Sequence, residues 1–452
     1  MFKKGRLLLR RKELILTKNR CNRPIFIGFI LLCNCIGFFY YIAYYKINGY
    51  LPSPFINDKS DTFMDLFNTM QWVYNDGRYT SWGSVYPPLG FLVLKVINLL
   101  LGGSFTADAA YMRTNSLCVI FGFIVLYLIS AAVTLNARCF SGFSRIEKRL
   151  VYFLIILSTP MLFALERGNL IVLAPIFLAF VFSKIGFLRS LNIALLINLK
   201  PYFAILMMYY FFRRNFKGFF TCTALSGLIF CISGLFLDNN FLVFFINLLS
   251  FSGNNELFSL REVMSMPSSV SAFSYIFKHP DGFNLALNFV SSFIITIFIN
   301  TIEGIKWSIL FFTIFVLLKK SKLMRDTEIL SLLIVLITNL GIWVGGYSLL
   351  LYVVIIPVFI NLRAHWLYVS LLALLAMPLD IVPLMSAFIG QQYSYLSNTQ
   401  VDVNWTLGLG SIIRPLINIT LLLILTSEFY LRKRRVSSHQ VLCGDNKLMD
   451  KR

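Results

Sequence analysis

Ten apolar runs divide this sequence, and each is long enough to cross a lipid bilayer as one helix. The hydrocarbon core requires roughly 20 apolar residues per crossing, and inside it a helix satisfies its own backbone hydrogen bonds. The sequence therefore predicts an all-α polytopic membrane protein, a bundle of about 10 to 12 transmembrane helices. The runs are residues 24–45, 115–136, 150–165, 169–187, 217–237, 302–318, 327–344, 346–362, 366–384 and 408–430.

The distribution of charge supports the same class. The chain has 41 Lys and Arg but only 20 Asp and Glu, and its formal net charge is +21. Most of the cations lie in short segments on one side of the predicted spans, as in the cytoplasmic segments of membrane proteins. This pattern predicts that both termini are cytoplasmic. It also explains the net charge by topology and by contact with anionic membrane lipids, without a nucleic-acid partner.

The same alternation divides the chain into parts. A short apolar segment, residues 89–103, follows Pro87-Pro88 and is predicted to be a juxtamembrane helix at the outer surface. Residues 284–301 are compatible with a similar surface helix or with an extension of the following span. The parts are a cytoplasmic basic N-terminus (1–23), a transmembrane domain (24–430) that includes two outer loop regions (46–114 and 238–301), and a cytoplasmic basic tail (431–452).

Residues 190–212 do not fit a single crossing, because basic residues flank both ends of this apolar segment. A hairpin of two short helices, with Lys200-Pro201 at its tip, agrees with the charge pattern. Proline interrupts a helix because it lacks an amide hydrogen and clashes with the preceding turn. Broken helices occur at membrane depth where they line a cavity inside the protein. Lys200 is therefore predicted to face such a cavity.

The first outer loop concentrates acids in a chain that has few of them. Asp61 and Asp65 are four residues apart, so in a helix they share one face, where like charges repel unless a ligand or cation lies against them. Carboxylate and amide groups beside aromatic rings suit a sugar, which needs hydrogen-bond partners and an apolar wall. The alternative is a belt of interfacial aromatic residues with solvated acids. The aromatic residues that follow are Phe67, Trp72, Tyr74, Tyr79, Trp82 and Tyr86.

Glu166-Arg167-Gly168-Asn169 forms a tight turn between two predicted spans, so its charges are expected at the outer membrane boundary. One interpretation is an interfacial salt bridge, which contributes less than about 1 kcal/mol when exposed. The other is that Arg167 and Lys200 bind a phosphate. A planar guanidinium grips phosphate oxygens in bidentate fashion, and an ammonium adds a point charge. Cations at membrane depth usually have a functional role, so phosphate binding is the prediction.

Five motifs resemble those of the GT-C superfamily of membrane glycosyltransferases, and the nearest group is family GT87, which includes alpha-mannosyltransferase-like enzymes. The turn Gly346-Tyr347-Ser348 is similar to a Ser-containing turn of the family. The chain departs from the family at Asp65, where a tyrosine is more common. In chain order the motifs are Ser60–Thr69, Gly77-Arg78-Tyr79, Tyr86-Pro87-Pro88-Leu89, Glu166-Arg167-Gly168-Asn169 and Lys200-Pro201-Tyr202.

The resemblance implies a GT-C-like bundle, a polyprenyl-phosphate sugar as donor, an active site on the outer side and inversion at the anomeric carbon, with no cofactor and no metal. It implies that Asp61 is the general base, which takes the acceptor's proton, with Asp65 as second candidate. Cations would stabilise the departing lipid phosphate. The implied binding residues are Arg167 and Lys200 at the phosphate, Glu166 lining the cavity, and Tyr86, Asn169 and Tyr202 as supporting contacts.

Two other functions were weighed against a glycosyltransferase that acts on a cell-surface glycan or lipid-linked acceptor. An O-antigen polymerase or ligase usually carries its active residues in one large outer loop late in the chain, whereas the richest loop here comes first. A transporter or flippase of lipid-linked glycans is expected to show internal repeats and polar residues at mid-membrane depth. Composition and short loops indicate a bacterial inner membrane and a surface-polysaccharide pathway such as lipopolysaccharide. The residues are compatible with mannose, glucose, galactose or arabinose alike.

Overall fold

The computed structural model describes residues 2–55, 61–100, 108–237, 240–253, 266–278, 292–341, 345–360, 362 and 365–432. The chain is 77% helical, which agrees with the predicted class. Within the described residues, five helices are long and apolar enough to cross a membrane, and a bent pair makes a sixth if it counts as one span. The five are Ile27–Asn48, Leu117–Thr134, Phe216–Leu235, Thr296–Leu323 and Leu409–Leu431.

The α-helices follow one another with short connections and occasional single turns of 3₁₀ helix. They are α1 (Phe2–Asn48), α2 (Met64–Val73), α3 (Pro88–Leu100), α4 (Ala109–Asn115), α5 (Leu117–Thr134), α6 (Arg145–Ile156), α7 (Thr159–Arg167), α8 (Ala174–Val181), α9 (Gly186–Leu199), α10 (Met208–Phe212), α11 (Phe216–Leu235), α12 (Phe244–Gly253), α13 (Val270–Lys278), α14 (Ser292–Lys320), α15 (Asp326–Thr338), α16 (Ile356–Ile360), α17 (His365–Ala376) and α18 (Leu409–Leu431).

The predicted number of crossings, 10 to 12, is not confirmed. Several predicted spans are shorter than a full crossing: α15 has 13 residues and α17 has 12. The predicted span at 346–362 begins as a 3₁₀ helix, Gly346–Ile355, and continues as α16. The span at 150–165 is divided between α6 and α7, which meet at 49°. A proline in the first turn of α7 explains this break, because proline starts a helix well but cannot continue one.

The break at Lys200-Pro201 is where the sequence predicted it. Lys200 has an extended backbone (φ −147°, ψ 123°), the conformation that a following proline favours. A 3₁₀ helix, Pro201–Met207, then leads into α10. The Ser190 and Tyr210 hydroxyl oxygens, at the two far ends of the segment, are 2.7 Å apart. The chain therefore folds back on itself with Lys200 at the turn.

A β-hairpin departs from the all-α prediction. Strands β1 (Pro383–Tyr393) and β2 (Gln400–Gly408) pair in antiparallel register, with Tyr393 opposite Gln400 and Gly390 opposite Val403. In β2, Val403 and Leu407 are buried while Gln400, Asp402 and Asn404 are exposed. This is the period of two that a half-buried strand requires. Hydropathy alone assigned the start of this segment to a span, and the alternation within β2 was the signal that it missed.

The outer loop regions also carry helices. Residues 88–100 form α3, as predicted for a juxtamembrane helix, and α12 lies in the second outer region. Residues 292–301 are continuous with α14 and so extend the following span, whereas residues 284–291 lie outside the described part. The predicted tail also lies outside it from residue 433 onward, and the predicted N-terminal segment from residue 2 is helical backbone within α1.

A fully buried ion pair joins the end of the α17 region to α18. Asp380 and Arg414 are both 0% exposed, and Arg414 Nη1 donates to Asp380 Oδ1 at 2.8 Å. A second Arg414 nitrogen donates to the Met377 carbonyl oxygen at 3.0 Å. Because Asp380 immediately precedes the β-hairpin and Arg414 follows it, the pair fixes the base of the hairpin to the helices.

Asp380→Asn is expected to destabilise the protein, because it leaves a buried guanidinium without a counter-charge. Breaking a buried pair from one side costs about 3–5 kcal/mol. The measurement is the thermal unfolding midpoint in detergent, compared with Asp402→Asn, which makes the same change at an exposed position of β2. Equal midpoints for the two variants would contradict the prediction.

Candidate active site

The first outer loop turns sharply just before α2. Asp61 precedes the turn, Asp65 lies in the first turn of α2, and Phe63 between them has left-handed backbone angles (φ 60°, ψ 9°). Such angles are uncommon and costly for a bulky residue, so the surroundings must hold the turn in place. The Phe63 amide donates to the carbonyl oxygen of Glu166 at 2.7 Å. The turn is therefore tied to the end of α7.

Glycine is required where α7 meets this turn. Gly168 caps α7 in the left-handed region (φ 68°), which glycine adopts without strain. A Cβ atom at position 168 would lie 2.8 Å from Cβ of Leu66 and 3.2 Å from Cα of Phe63. The missing side chain lets the segment Glu166–Asn169 approach the loop that carries Asp61 and Asp65.

Arg167 lies between the two carboxylates. Its Nη1 is 2.8 Å from Asp61 Oδ1 and its Nη2 is 3.8 Å from Asp65 Oδ1. Nη1 is buried and makes no hydrogen bond of good geometry within the described residues, so its contact with Asp61 is an ion pair by distance. Asn169 Nδ2 donates to the other Asp65 oxygen at 2.7 Å. One guanidinium and one amide therefore hold both predicted catalytic carboxylates.

Glu166 supports this loop from below. The Thr62 hydroxyl donates to Glu166 Oε1 at 2.9 Å, and Glu166 is buried. The second carboxylate oxygen, Oε2, is also buried and has no hydrogen bond in the described structure. The sequence predicted that Glu166 lines the cavity, and the structure places it beneath the backbone that carries Asp61.

Lys200 lies in an aromatic enclosure. Its Nζ donates to the Tyr86 hydroxyl at 2.9 Å and lies 4.1 Å from the centroid of that ring and 5.9 Å from the ring of Tyr347. Cations bind favourably over aromatic faces. Tyr347 in turn stacks on Phe163 of α7, with ring centroids 6.3 Å apart. The hydroxyl of Tyr202, the next aromatic side chain, is buried without a hydrogen bond in the described structure.

Tyr86 links the two halves of the site. Burial, reinforced by the nearby Asp65 carboxylate, raises the pKa of its phenol above the ordinary value, and hydrogen bonds with Asn169 and Thr69 oppose the rise. The phenol is therefore neutral at physiological pH and can pass hydrogen bonds between Lys200 and the Asp65–Asn169 group. All eight predicted site residues thus fall in one region.

Residues 85–302 match the model of glycosyltransferase family 87. This match confirms the resemblance found in the motifs. The GT87 region covers slightly under half of the chain and includes Tyr86, Arg167 and Lys200, while Asp61 and Asp65 precede it. No curated protein and no solved structure matches the chain. The GT87 match implies a glycosyltransferase, and the apolar helices make it a membrane glycosyltransferase.

Sequence reasoning missed three residues that shape the site. Tyr347 lies in a turn that already resembled a family motif, so its place beside Lys200 could have been proposed from that motif. Thr62 is next to Asp61, but nothing local indicates its bond to Glu166. Arg113 donates from Nη1 to the Thr62 carbonyl oxygen at 2.7 Å. It gave no signal because its contact spans 51 residues of sequence.

Proposed function

We propose that this protein transfers a sugar from a polyprenyl-phosphate donor to a cell-surface glycan or lipid-linked acceptor on the periplasmic side of a bacterial inner membrane. The observation that carries the proposal is the convergence of Asp61 and Asp65 with Arg167 and Lys200. Two acids and two cations reach one site from three segments that are distant in the sequence. Carboxylates beside fixed cations suit the displacement of a phosphate by a hydroxyl.

The reaction assigned to the site is a single displacement. The acceptor oxygen attacks the anomeric carbon while Asp61 takes the hydroxyl proton. The bond from the anomeric carbon to the phosphate oxygen breaks, and the polyprenyl phosphate leaves with the electron pair. Attack opposite the leaving group inverts the anomeric centre. Asp65, which Asn169 holds at 2.7 Å, orients the acceptor and is the second candidate for the base.

The leaving phosphate is assigned to Lys200 and Arg167. Fixed cations in a site shielded from water stabilise charge that develops on a leaving group. Lys200 is the stronger candidate, because its contacts are to tyrosines rather than to carboxylates. Arg167 already balances Asp61, but its Nη1 still has hydrogen-bonding capacity. The phenols of Tyr86 and Tyr202 and the carboxylate of Glu166 complete the walls and the support of the site.

The deciding experiment is mass spectrometry of lipid-linked glycans and lipopolysaccharide from cells with and without the gene. The expected difference is one hexose or pentose, present only when the protein is made. Supplying purified protein with synthetic polyprenyl-phosphate mannose, glucose, galactose and arabinose in turn then identifies the donor. A change in glycan chain length alone would favour a polymerase or ligase instead. Accumulation of an unaltered lipid-linked glycan would favour a flippase.

A further inference from the structure

Arg113 is a buried cation outside the group of residues that meet the substrates in the proposed reaction. It lies on α4, is 2% exposed, and donates from Nη1 to the carbonyl oxygen of Thr62 at 2.7 Å. A hydrogen bond from a charged donor is stronger than a neutral one. This contact holds the peptide group between Thr62 and the left-handed Phe63, one residue from Asp61.

The outer face of this guanidinium is covered by the tip of the β-hairpin. The centre of the Arg113 guanidinium lies 4.1 Å from the ring centroid of Tyr395, in the turn that joins β1 to β2. Arginine stacks favourably on aromatic rings, and the attraction grows when both groups are shielded from water. The C-terminal part of the chain therefore reaches the catalytic loop through one aromatic ring.

The hairpin tip is itself fixed to the protein. The Ser394 hydroxyl donates to the Gly49 carbonyl oxygen at 2.9 Å, and the Asn404 amide donates to the Tyr50 hydroxyl at 3.1 Å. Both partners lie just after the outer end of α1. Tyr395 is thus carried on a two-stranded support with its own anchors, and it can restrict the movement of Arg113.

The loop needs such restriction because of its backbone. A left-handed Phe63 persists only when neighbouring contacts hold it. Thr62 supplies two of these contacts: its hydroxyl binds Glu166, and its carbonyl oxygen binds Arg113. Loss of the second contact frees one side of the peptide group next to Asp61. Small displacements of a reacting group cost large factors in rate.

We propose that Arg113 and Tyr395 are positioning residues for sugar transfer: the hairpin tip clamps Arg113, and Arg113 sets the backbone that carries Asp61. The assignment rests on the proposed function for the role of Asp61. Neither residue touches substrate in this scheme. Their effect is on the placement of the base, and hence on kcat rather than on donor affinity.

The test compares four variants in the transfer assay. Arg113→Met is expected to lower kcat by about a hundredfold, and Tyr395→Leu by about tenfold, with little change in the KM for the donor. Tyr395→Phe keeps the ring and should match the wild type. Arg113→Lys keeps one charged donor and should recover part of the loss. A rise in KM at constant kcat, or Tyr395→Leu at the wild-type rate, would overturn the proposal.

A second measurement does not depend on sugar transfer. Asp61→Cys is labelled with a membrane-impermeant maleimide, alone and together with Tyr395→Leu, and the labelling of the chain with Asp61 intact is subtracted. The expected result is faster labelling in the double variant, because the loop is released. Equal labelling rates would overturn the proposal even if the protein proved not to transfer sugars. Size-exclusion profiles identify any variant whose loss reflects misfolding, and losses that track misfolding alone also count against the proposal.

Discussion

Asp61→Asn is expected to lower kcat for sugar transfer by about a thousandfold, within the range that a general base contributes. The amide has nearly the same shape as the carboxylate but cannot take the acceptor's proton. Donor binding should change little, because the Lys200–Tyr86 part of the site is untouched. Initial rates with purified protein and the donor identified above give kcat and KM separately.

The matched control is Asp76→Asn, the same chemical change at an exposed position of the same outer loop. It should transfer at the wild-type rate. Asp65→Asn completes the series, since Asp65 is the second candidate for the base. If Asp65→Asn abolishes transfer while Asp61→Asn is nearly as active as the wild type, the roles of the two acids are reversed.

Arg167→Lys is expected to lower kcat by about a hundredfold, although it keeps the positive charge. The guanidinium has two nitrogens that face Asp61 and Asp65 at 2.8 and 3.8 Å. An ammonium is a single point and cannot occupy both positions. The variant should therefore lose the alignment of the two carboxylates. The same kinetic assay measures this effect.

Arg138→Lys provides the comparison, because Arg138 is exposed and remote in sequence from the site. It should leave the rate unchanged. Activity of Arg167→Lys near that of the wild type would mean that only the charge of Arg167 matters, and the bidentate arrangement would lose its assigned role. The thermal midpoint of each variant separates a loss of alignment from a loss of folding.

Features that depend on neighbouring residues were predictable from the sequence. Hydropathy located α5, α11 and α18, because a helix that faces lipid must be apolar along its length. The break at Lys200 followed from Pro201 and from the charge on both sides. Motif order correctly grouped Asp61, Arg167 and Lys200, although the distances between them needed a structure.

Features that depend on contacts across the fold were not predictable. Asp380 and Arg414 pair across the β-hairpin, and Arg113 reaches both Thr62 and Tyr395. Neither arrangement leaves a local pattern. The bent helices and the 3₁₀ segment at Gly346–Ile355 are also shaped by packing, and hydropathy cannot distinguish them from straight spans. The left-handed turn at Phe63 gave no sign in the sequence, since glycine is the usual marker for such a backbone.

The aromatic enclosure of Lys200 has a consequence for how the protein waits between turnovers. Within the described part of the chain, Lys200 makes no ion pair, and its contacts are the hydroxyl and ring of Tyr86 and the ring of Tyr347. A neutral phenol holds the ammonium in place without cancelling its charge. An incoming anion therefore displaces no carboxylate from Lys200, and the resting enzyme stays primed to capture the next lipid phosphate.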